Sequence, residues 1–207
     1  MLFKSFSEKI NTTLGRLSPA RRIFLSFALV IFAGSLLLSL PFVQATSSQA
    51  TYFDHLFTAV SMVCVTGLFT QPVATTYNIW GQLICMFLIQ IGGLGLMTFI
   101  GVFYIQSKQK LSLRSRETIL ESFSYGETQS LMVFIRSIFL TTFIVEGLGA
   151  FLLSFRFVPE FGWGRGIFTS IFVAISAFCN AGFDNFGSTS LVAFQTDPLI
   201  NLVIAGL

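Results

Sequence analysis

The apolar residues of this chain form long uninterrupted runs rather than the alternating patterns of a soluble protein. The first run, Ile23–Leu40, is uncharged and long enough to cross a hydrocarbon core of about 30 Å. Similar runs cover Trp80–Ile105 and about Ser137–Phe155, and another begins at Asp197 and reaches the last residue, Leu207. The pattern predicts four membrane-crossing helices, the last of them truncated, in a chain that is a fragment of a longer protein.

Two further apolar segments, 53–70 and 167–183, follow the first and third of these runs. Basic residues concentrate in the N-terminal segment and in the loop after Ile105, which the positive-inside rule places in the cytoplasm. These residues are Lys4, Lys9, Arg16, Arg21, Arg22, Lys108, Lys110, Arg114 and Arg116. Two crossings already connect the two cytoplasmic segments, so 53–70 is predicted to enter the membrane from outside and return. The same count of membrane crossings predicts that 167–183 also enters the membrane from outside and returns.

An internal repeat supports this topology. A shift of 115 residues places 57–68 over 172–183, and the same shift carries Trp80 onto Gln195 at the predicted start of the last span. The identical pairs are Phe57/Phe172, Ala59/Ala174, Ser61/Ser176, Cys64/Cys179 and Gly67/Gly182. The repeat predicts two copies of one unit, which consists of a span, a short helix, a glycine-containing loop and a second span.

The composition is typical of an integral membrane protein, because 54% of the residues are hydrophobic and only 10% are charged. Soluble domains contain about 25% charged residues, so a soluble enzyme is excluded, and the net charge of +3 reflects topology rather than a nucleic-acid partner. No catalytic or zinc-binding motif occurs, and neither enzymatic activity nor a cofactor is predicted. The predicted fold is an all-α membrane protein with a cytoplasmic segment (1–22), a first repeat (23–105), a cytoplasmic loop (106–136) and a truncated second repeat (137–207).

Each predicted loop would place main-chain oxygens at the depth of the membrane. A short helix that enters from outside points its negative C-terminal end at the membrane centre, which favours a cation. Glycine tolerates positive φ, so Gly67 and Gly182 would let carbonyls turn toward one axis and replace the hydration shell of an ion. The candidate filter residues are Cys64, Val65, Thr66, Gly67, Cys179, Asn180, Ala181 and Gly182. The alternative is that each glycine only ends a packed helix.

Several motifs resemble one known family. Val65–Leu68 resembles the first filter of the Ktr/Trk-type potassium uptake proteins, and Gln90–Gly95 resembles the helix that follows it. Ala174–Phe183 resembles the second filter of these proteins, and Asp197–Ile204 resembles the helix behind it. The resemblance extends from about Ser18 to the end of the chain and is closest to the Ktr membrane subunit.

The resemblance implies four membrane–pore–membrane repeats around one potassium pathway, of which this chain holds two. It further implies K⁺ as the transported ion, stimulation by Na⁺, and a homodimer in the lipid of the plasma (inner) membrane with a cytoplasmic N-terminus. A cytoplasmic nucleotide-binding ring that gates transport is implied as well. The alternative is an alternating-access secondary cation transporter, a symporter, whose broken helices form an occluded site. Parallel repeats favour the pore.

Two aspartates flank the predicted loops. Thr51 and Asp54 form a predicted capping arrangement at the start of the first short helix. Asp54 is also a candidate cation-attracting group at the outer mouth of the pore. Asp184 directly follows the second loop, where it is either a second pore-mouth acid or an ordinary loop residue.

One acid and three glycines remain inside the apolar runs. Glu146 lies in the third span and is predicted to face the bundle interior or a polar cavity, because an intramembrane acid is costly in lipid. Gly92, Gly93 and Gly95 are predicted to allow close helix packing, with lining of a cavity as the alternative. The loop 108–128 is predicted to be solvated, with docking of a cytoplasmic partner as the alternative.

Overall fold

The computed structural model describes residues 19–109 and 127–207. The helices are α1 (Pro19–Leu38), α2 (Tyr52–Val63), α3 (Val73–Thr76), α4 (Ile79–Gln109), α5 (Glu127–Phe161), α6 (Trp163–Phe178) and α7 (Pro198–Gly206). No strand occurs in these ranges, so the predicted all-α class is confirmed. The predicted N-terminal segment, 1–22, lies largely outside the described residues. The central part of the predicted loop 106–136 also lies outside them, and with it the region for which docking of a cytoplasmic partner was the alternative.

The helices differ in length in the order that the sequence predicts. At 1.5 Å per residue, α1, α4 and α5 are about 30, 46 and 52 Å long, whereas α2 and α6 are about 18 and 24 Å long. Within the described part, Arg136–Phe161 is the one stretch long and apolar enough to cross a membrane by itself. Shorter apolar stretches are Phe24–Leu38, Ile79–Gly95 and Trp163–Phe178.

The helices pack in two groups that α4 joins. α1, α2 and α4 form the first group, α5, α6 and α7 form the second, and α4 also contacts α5 and α6. Met62 of α2, Ile89 of α4 and Phe172 of α6 are fully buried in one core that extends across both groups. The outward faces of α1 and α5 are apolar and exposed at Phe24, Leu29, Phe32, Phe143, Leu148 and Phe151, a surface that suits lipid or an apolar partner rather than water.

The connection after the second loop is longer than its counterpart in the first group. Trp80 is the second residue of α4, whereas Gln195 precedes α7, which begins only at Pro198. A 3₁₀ turn, Ser190–Phe194, lies in this connection, and its last side chain packs against the rings of Phe157, Phe161 and Phe186. The repeat shift of 115 residues therefore holds for the C-terminal ends of the short helices and for the loops, but not for the helices that follow them.

Candidate functional site

The loops after α2 and α6 share an unusual backbone conformation. Val65 and Gly67 have φ values of 56° and 72°, and Asn180 and Gly182 have φ values of 55° and 69°. The residue between each pair is outside the left-handed region. Positive φ is a genuine outlier for a β-branched residue such as Val65, and such strain persists only where the surrounding structure imposes it.

One serine imposes this conformation in each loop. Ser61 O accepts the Thr66 N–H at 2.9 Å, and Ser61 Oγ accepts the Leu68 N–H at 2.8 Å. Ser176 makes the same two bonds with Ala181 N–H at 2.7 Å and Phe183 N–H at 2.8 Å. Both serines are buried. The repeat includes them as an identical pair, but sequence reasoning gave them no role, because a hydroxyl on an apolar helix carries no signal about which N–H it reaches.

Removing either hydroxyl is expected to destabilise its loop. Ser176→Ala leaves the Phe183 N–H without a partner in a buried position, which costs about 1–3 kcal/mol, whereas Leu68 is exposed and Ser61→Ala is expected to cost less. Thermal unfolding of the full-length protein in detergent measures both effects. Ser154→Ala is the matched control, because that hydroxyl bonds to Phe151 O on an exposed helix face. Equal unfolding temperatures for Ser176→Ala and the control would contradict the anchoring role.

The two loops lie against each other. A Cβ atom built on Gly67 would lie 3.0 Å from Ala181 O, and one built on Gly182 would lie 3.3 Å from Gly67 Cα. The rings of Phe69 and Phe183 are 6.2 Å apart between centroids. The structure therefore brings the two sets of candidate residues together, although they are more than a hundred positions apart in the chain.

Two consecutive glycines of α4 support the loops from behind. A Cβ atom on Gly92 would lie 2.5 Å from Val63 O at the end of α2, and one on Gly93 would lie 2.5 Å from Cys179 Sγ at the start of the second loop. A Cβ atom on Gly95 would lie 3.4 Å from the ring of Phe27. The predicted close packing at these glycines is confirmed.

Asp54 holds together the two ends of the first loop segment. Its carboxylate accepts hydrogen bonds from the N–H and the hydroxyl of Thr51 and from the hydroxyl of Thr70, all at 2.7 Å. The bond from Thr70, followed by those from Thr51, lowers the pKa of Asp54 to about 2, so the group is ionised at neutral pH. The predicted capping arrangement is confirmed, and Asp54 additionally ties the residues after the loop to the start of α2.

Asp184 is engaged within its own loop. Its carboxylate accepts the hydroxyl of Ser190 and the N–H of Phe186 at 3.0 Å. These bonds connect the end of the second loop to the 3₁₀ turn that precedes α7.

Two buried contacts lie beside the loops and were missed from the sequence. His55 Nδ1 lies 2.9 Å from the hydroxyl of Tyr77, and both side chains are 1% exposed. Gln90 Nε2 of α4 donates to Glu146 Oε1 of α5 at 2.9 Å, and the predicted inward orientation of Glu146 is confirmed by its burial. Neither pair is predictable from spacing, because tertiary packing sets how the partners meet: Gln90 and Glu146 lie on two different helices, and Tyr77 lies in the connection between α3 and α4.

Residues 21–207 match the family described as TrkH, cation transport protein. The chain belongs to the TrkH family. It is 41% identical over 192 residues to the Potassium/sodium uptake protein NtpJ of Enterococcus hirae, an alignment that covers 93% of this chain and 42% of the relative. The resemblance found in the sequence motifs is therefore confirmed.

Two Ktr proteins are similar relatives of this TrkH-family chain. It is 38% identical to the Ktr system potassium uptake protein B of Bacillus subtilis over 93% of its length, which is 42% of that relative. It is also 38% identical to the protein of the same name from Vibrio alginolyticus, over 90% of this chain and 40% of the relative. The chain spans about two fifths of the length of these relatives. Membership of this family supports the predicted membrane location.

Proposed function

We propose that the loops after α2 and α6 contribute main-chain carbonyls to a potassium-selective filter in a membrane pore. The observation that carries the proposal is the matched geometry of the two loops, in which positive φ and serine hydrogen bonds recur at the same repeat positions. The filter residues are Cys64, Val65, Thr66, Gly67, Cys179, Asn180, Ala181 and Gly182.

The physical chemistry of the loops favours a cation. Each loop follows the C-terminal end of a short helix, where the helix dipole is negative. Backbone with left-handed residues at alternate positions presents oxygens without side-chain obstruction, and such oxygens replace the hydration shell of K⁺ in selectivity filters. The ionised Asp54 near the outer end of α2 would raise the local concentration of cations before they reach the filter.

Potassium is the proposed ion because the relatives are potassium uptake proteins by name. Two loops cannot surround an ion, so we place this chain within a longer protein whose four repeats enclose one pore. We further propose a homodimer in the plasma membrane with a cytoplasmic N-terminus, transport stimulated by Na⁺, and gating by a cytoplasmic nucleotide-binding ring. Each repeat would then contribute one short helix that enters from the outer face.

Expression of the full-length protein in a bacterium that lacks potassium uptake tests the function. Growth at low external K⁺ and uptake of K⁺ are expected to be restored relative to the empty vector. Uptake of Na⁺ without uptake of K⁺ would overturn the proposal. So would a failure to restore growth and K⁺ uptake although the full-length protein is present in the membrane.

Labelling from outside tests the position of the first loop. A cysteine at Gln71, an exposed residue just after the loop, is expected to react with a membrane-impermeant thiol reagent applied to intact cells. Cys64 is exposed, so the reaction of the unmodified full-length protein is measured and subtracted. Ser137→Cys is the control at the opposite membrane face. Reaction at Ser137→Cys but not at Gln71→Cys would show that 53–70 crosses the membrane, and the filter assignment would be lost.

A further inference from the structure

An acidic side chain is buried between α4 and α5, and no described residue supplies it with a compensating positive charge. Glu146 is 5% exposed, and its hydrogen-bond partner is the neutral side chain of Gln90. The ion pair between described residues joins Arg156 to Asp197, and Arg156 lies ten residues after Glu146 on α5. An ionised carboxylate in such an apolar setting is strongly unfavourable unless it is paired.

The side-chain amide of Gln90, which bonds to Glu146, has a described hydrogen-bond partner for only one of its two polar atoms. Gln90 Nε2 donates to Glu146 Oε1, but Gln90 Oε1 is buried and has no donor among the described residues. Buried amide oxygens nearly always accept a hydrogen bond. An ionised carboxylate has no proton to offer this oxygen, whereas a protonated carboxyl group has one O–H donor and one accepting oxygen.

We propose that Glu146 binds a proton and forms, with Gln90, a neutral acid–amide pair that ties α4 to α5 beside the second loop. In this pair the carboxyl O–H donates to Gln90 Oε1 while the other oxygen accepts from Gln90 Nε2. One proton therefore removes the buried charge and satisfies the buried amide oxygen together. A metal ion fits less well, because one carboxylate and one amide supply fewer oxygens than a hard cation requires.

Loss of this proton would act on the second loop. Among the side chains that the structure describes, the ionisable groups on the elements packed against α5 are Cys85, Arg165, Cys179 and Asp197, and those on α5 itself are Arg136, Arg156 and Glu160. Of these groups Cys179 starts the second loop and touches Gly93, which lies three residues after Gln90 on the same face of α4. Release of the proton at alkaline pH therefore adds a negative charge next to this loop and strengthens its attraction for cations.

Infrared difference spectra of the full-length protein test the protonation directly. The wild-type protein is expected to show the carbonyl band of a protonated carboxylic acid at neutral pH. The band is expected to be absent in Glu146→Gln and to remain in Glu160→Gln, which removes an exposed carboxylate from the same helix. Glutamine at position 146 can donate to and accept from Gln90 in the same pattern, so this variant keeps the contact. A wild-type spectrum without such a band would overturn the proposal.

Uptake of K⁺ tests the consequence, and only this second measurement rests on the proposed function. The half-saturating K⁺ concentration of the wild type is expected to fall about tenfold from neutral to alkaline pH. Glu146→Gln is expected to match the wild type at neutral pH and to show no alkaline change. Altered affinity of this variant at neutral pH, or an alkaline response that it retains, would overturn the proposal. If the protein transports no K⁺ at all, the proposed function fails, whereas the infrared result still decides the protonation.

Discussion

Gly67→Ser and Gly182→Ser in the full-length protein are each expected to lower the ratio of K⁺ to Na⁺ uptake about tenfold or more, which corresponds to about 1.4 kcal/mol. Both glycines have positive φ, where a Cβ atom costs roughly 1–2 kcal/mol. The new Cβ of Gly67→Ser would also lie 3.0 Å from Ala181 O. The chain can relieve this contact only by moving a main-chain oxygen of the neighbouring loop, so ion coordination changes even if the protein remains folded.

Uptake of K⁺ and Na⁺ in the transport-deficient strain, with protein levels in the membrane, measures the effect. Gly147→Ser is the matched control, because Gly147 lies in α5 with negative φ and a Cβ atom there would meet no atom within 4 Å. The control is expected to transport like the wild type. Unchanged potassium affinity and selectivity in both loop variants would contradict their place in a filter.

Gly92→Ala is expected to destabilise the protein and to abolish most of its uptake, although alanine favours helix by about 1 kcal/mol over glycine. The new methyl group would lie 2.5 Å from Val63 O and 2.8 Å from Met62 O. These are main-chain oxygens at the end of α2 and cannot rotate away, so α4 and α2 must separate. Such overpacking costs about 1–3 kcal/mol, which exceeds the gain in helix propensity.

Thermal unfolding in detergent and K⁺ uptake measure this prediction together. Gly147→Ala supplies the contrast, since the same change in open space is expected to raise the unfolding temperature slightly through helix propensity alone. The contact of α4 with α2 would be disproved if Gly92→Ala were as stable and as active as Gly147→Ala.

The order of long and short helices could be predicted from the sequence because it depends on local patterns. The lengths of the apolar runs set the long helices, and the shift of 115 residues located both loops through Ser61/Ser176 and Gly67/Gly182. Asp54 was predictable as a cap, because the spacing from Thr51 to Asp54 is a property of the first helical turn.

Other features depend on how helices rotate and pack, and no local pattern encodes them. The left-handed conformation of Val65 contradicts the preference of a β-branched residue and is imposed by the bonds to Ser61. The contact between Gln90 and Glu146 joins two separate helices, and a search for a partner along α5 alone could not find it. The later start of α7, which a 3₁₀ turn precedes, was not revealed by the sequence shift.

Because Gly92 and Gly93 are adjacent, α4 supports both the end of α2 and the start of the second loop. One of these residues touches the main chain at the end of α2, and its neighbour touches the side chain that begins the second loop. A slide of α4 by a single residue, about 1.5 Å along its axis, would disturb both contacts in the same instant. The two loops that we propose as parts of the filter are thus coupled through α4, and a displacement of this helix would reach both of them together.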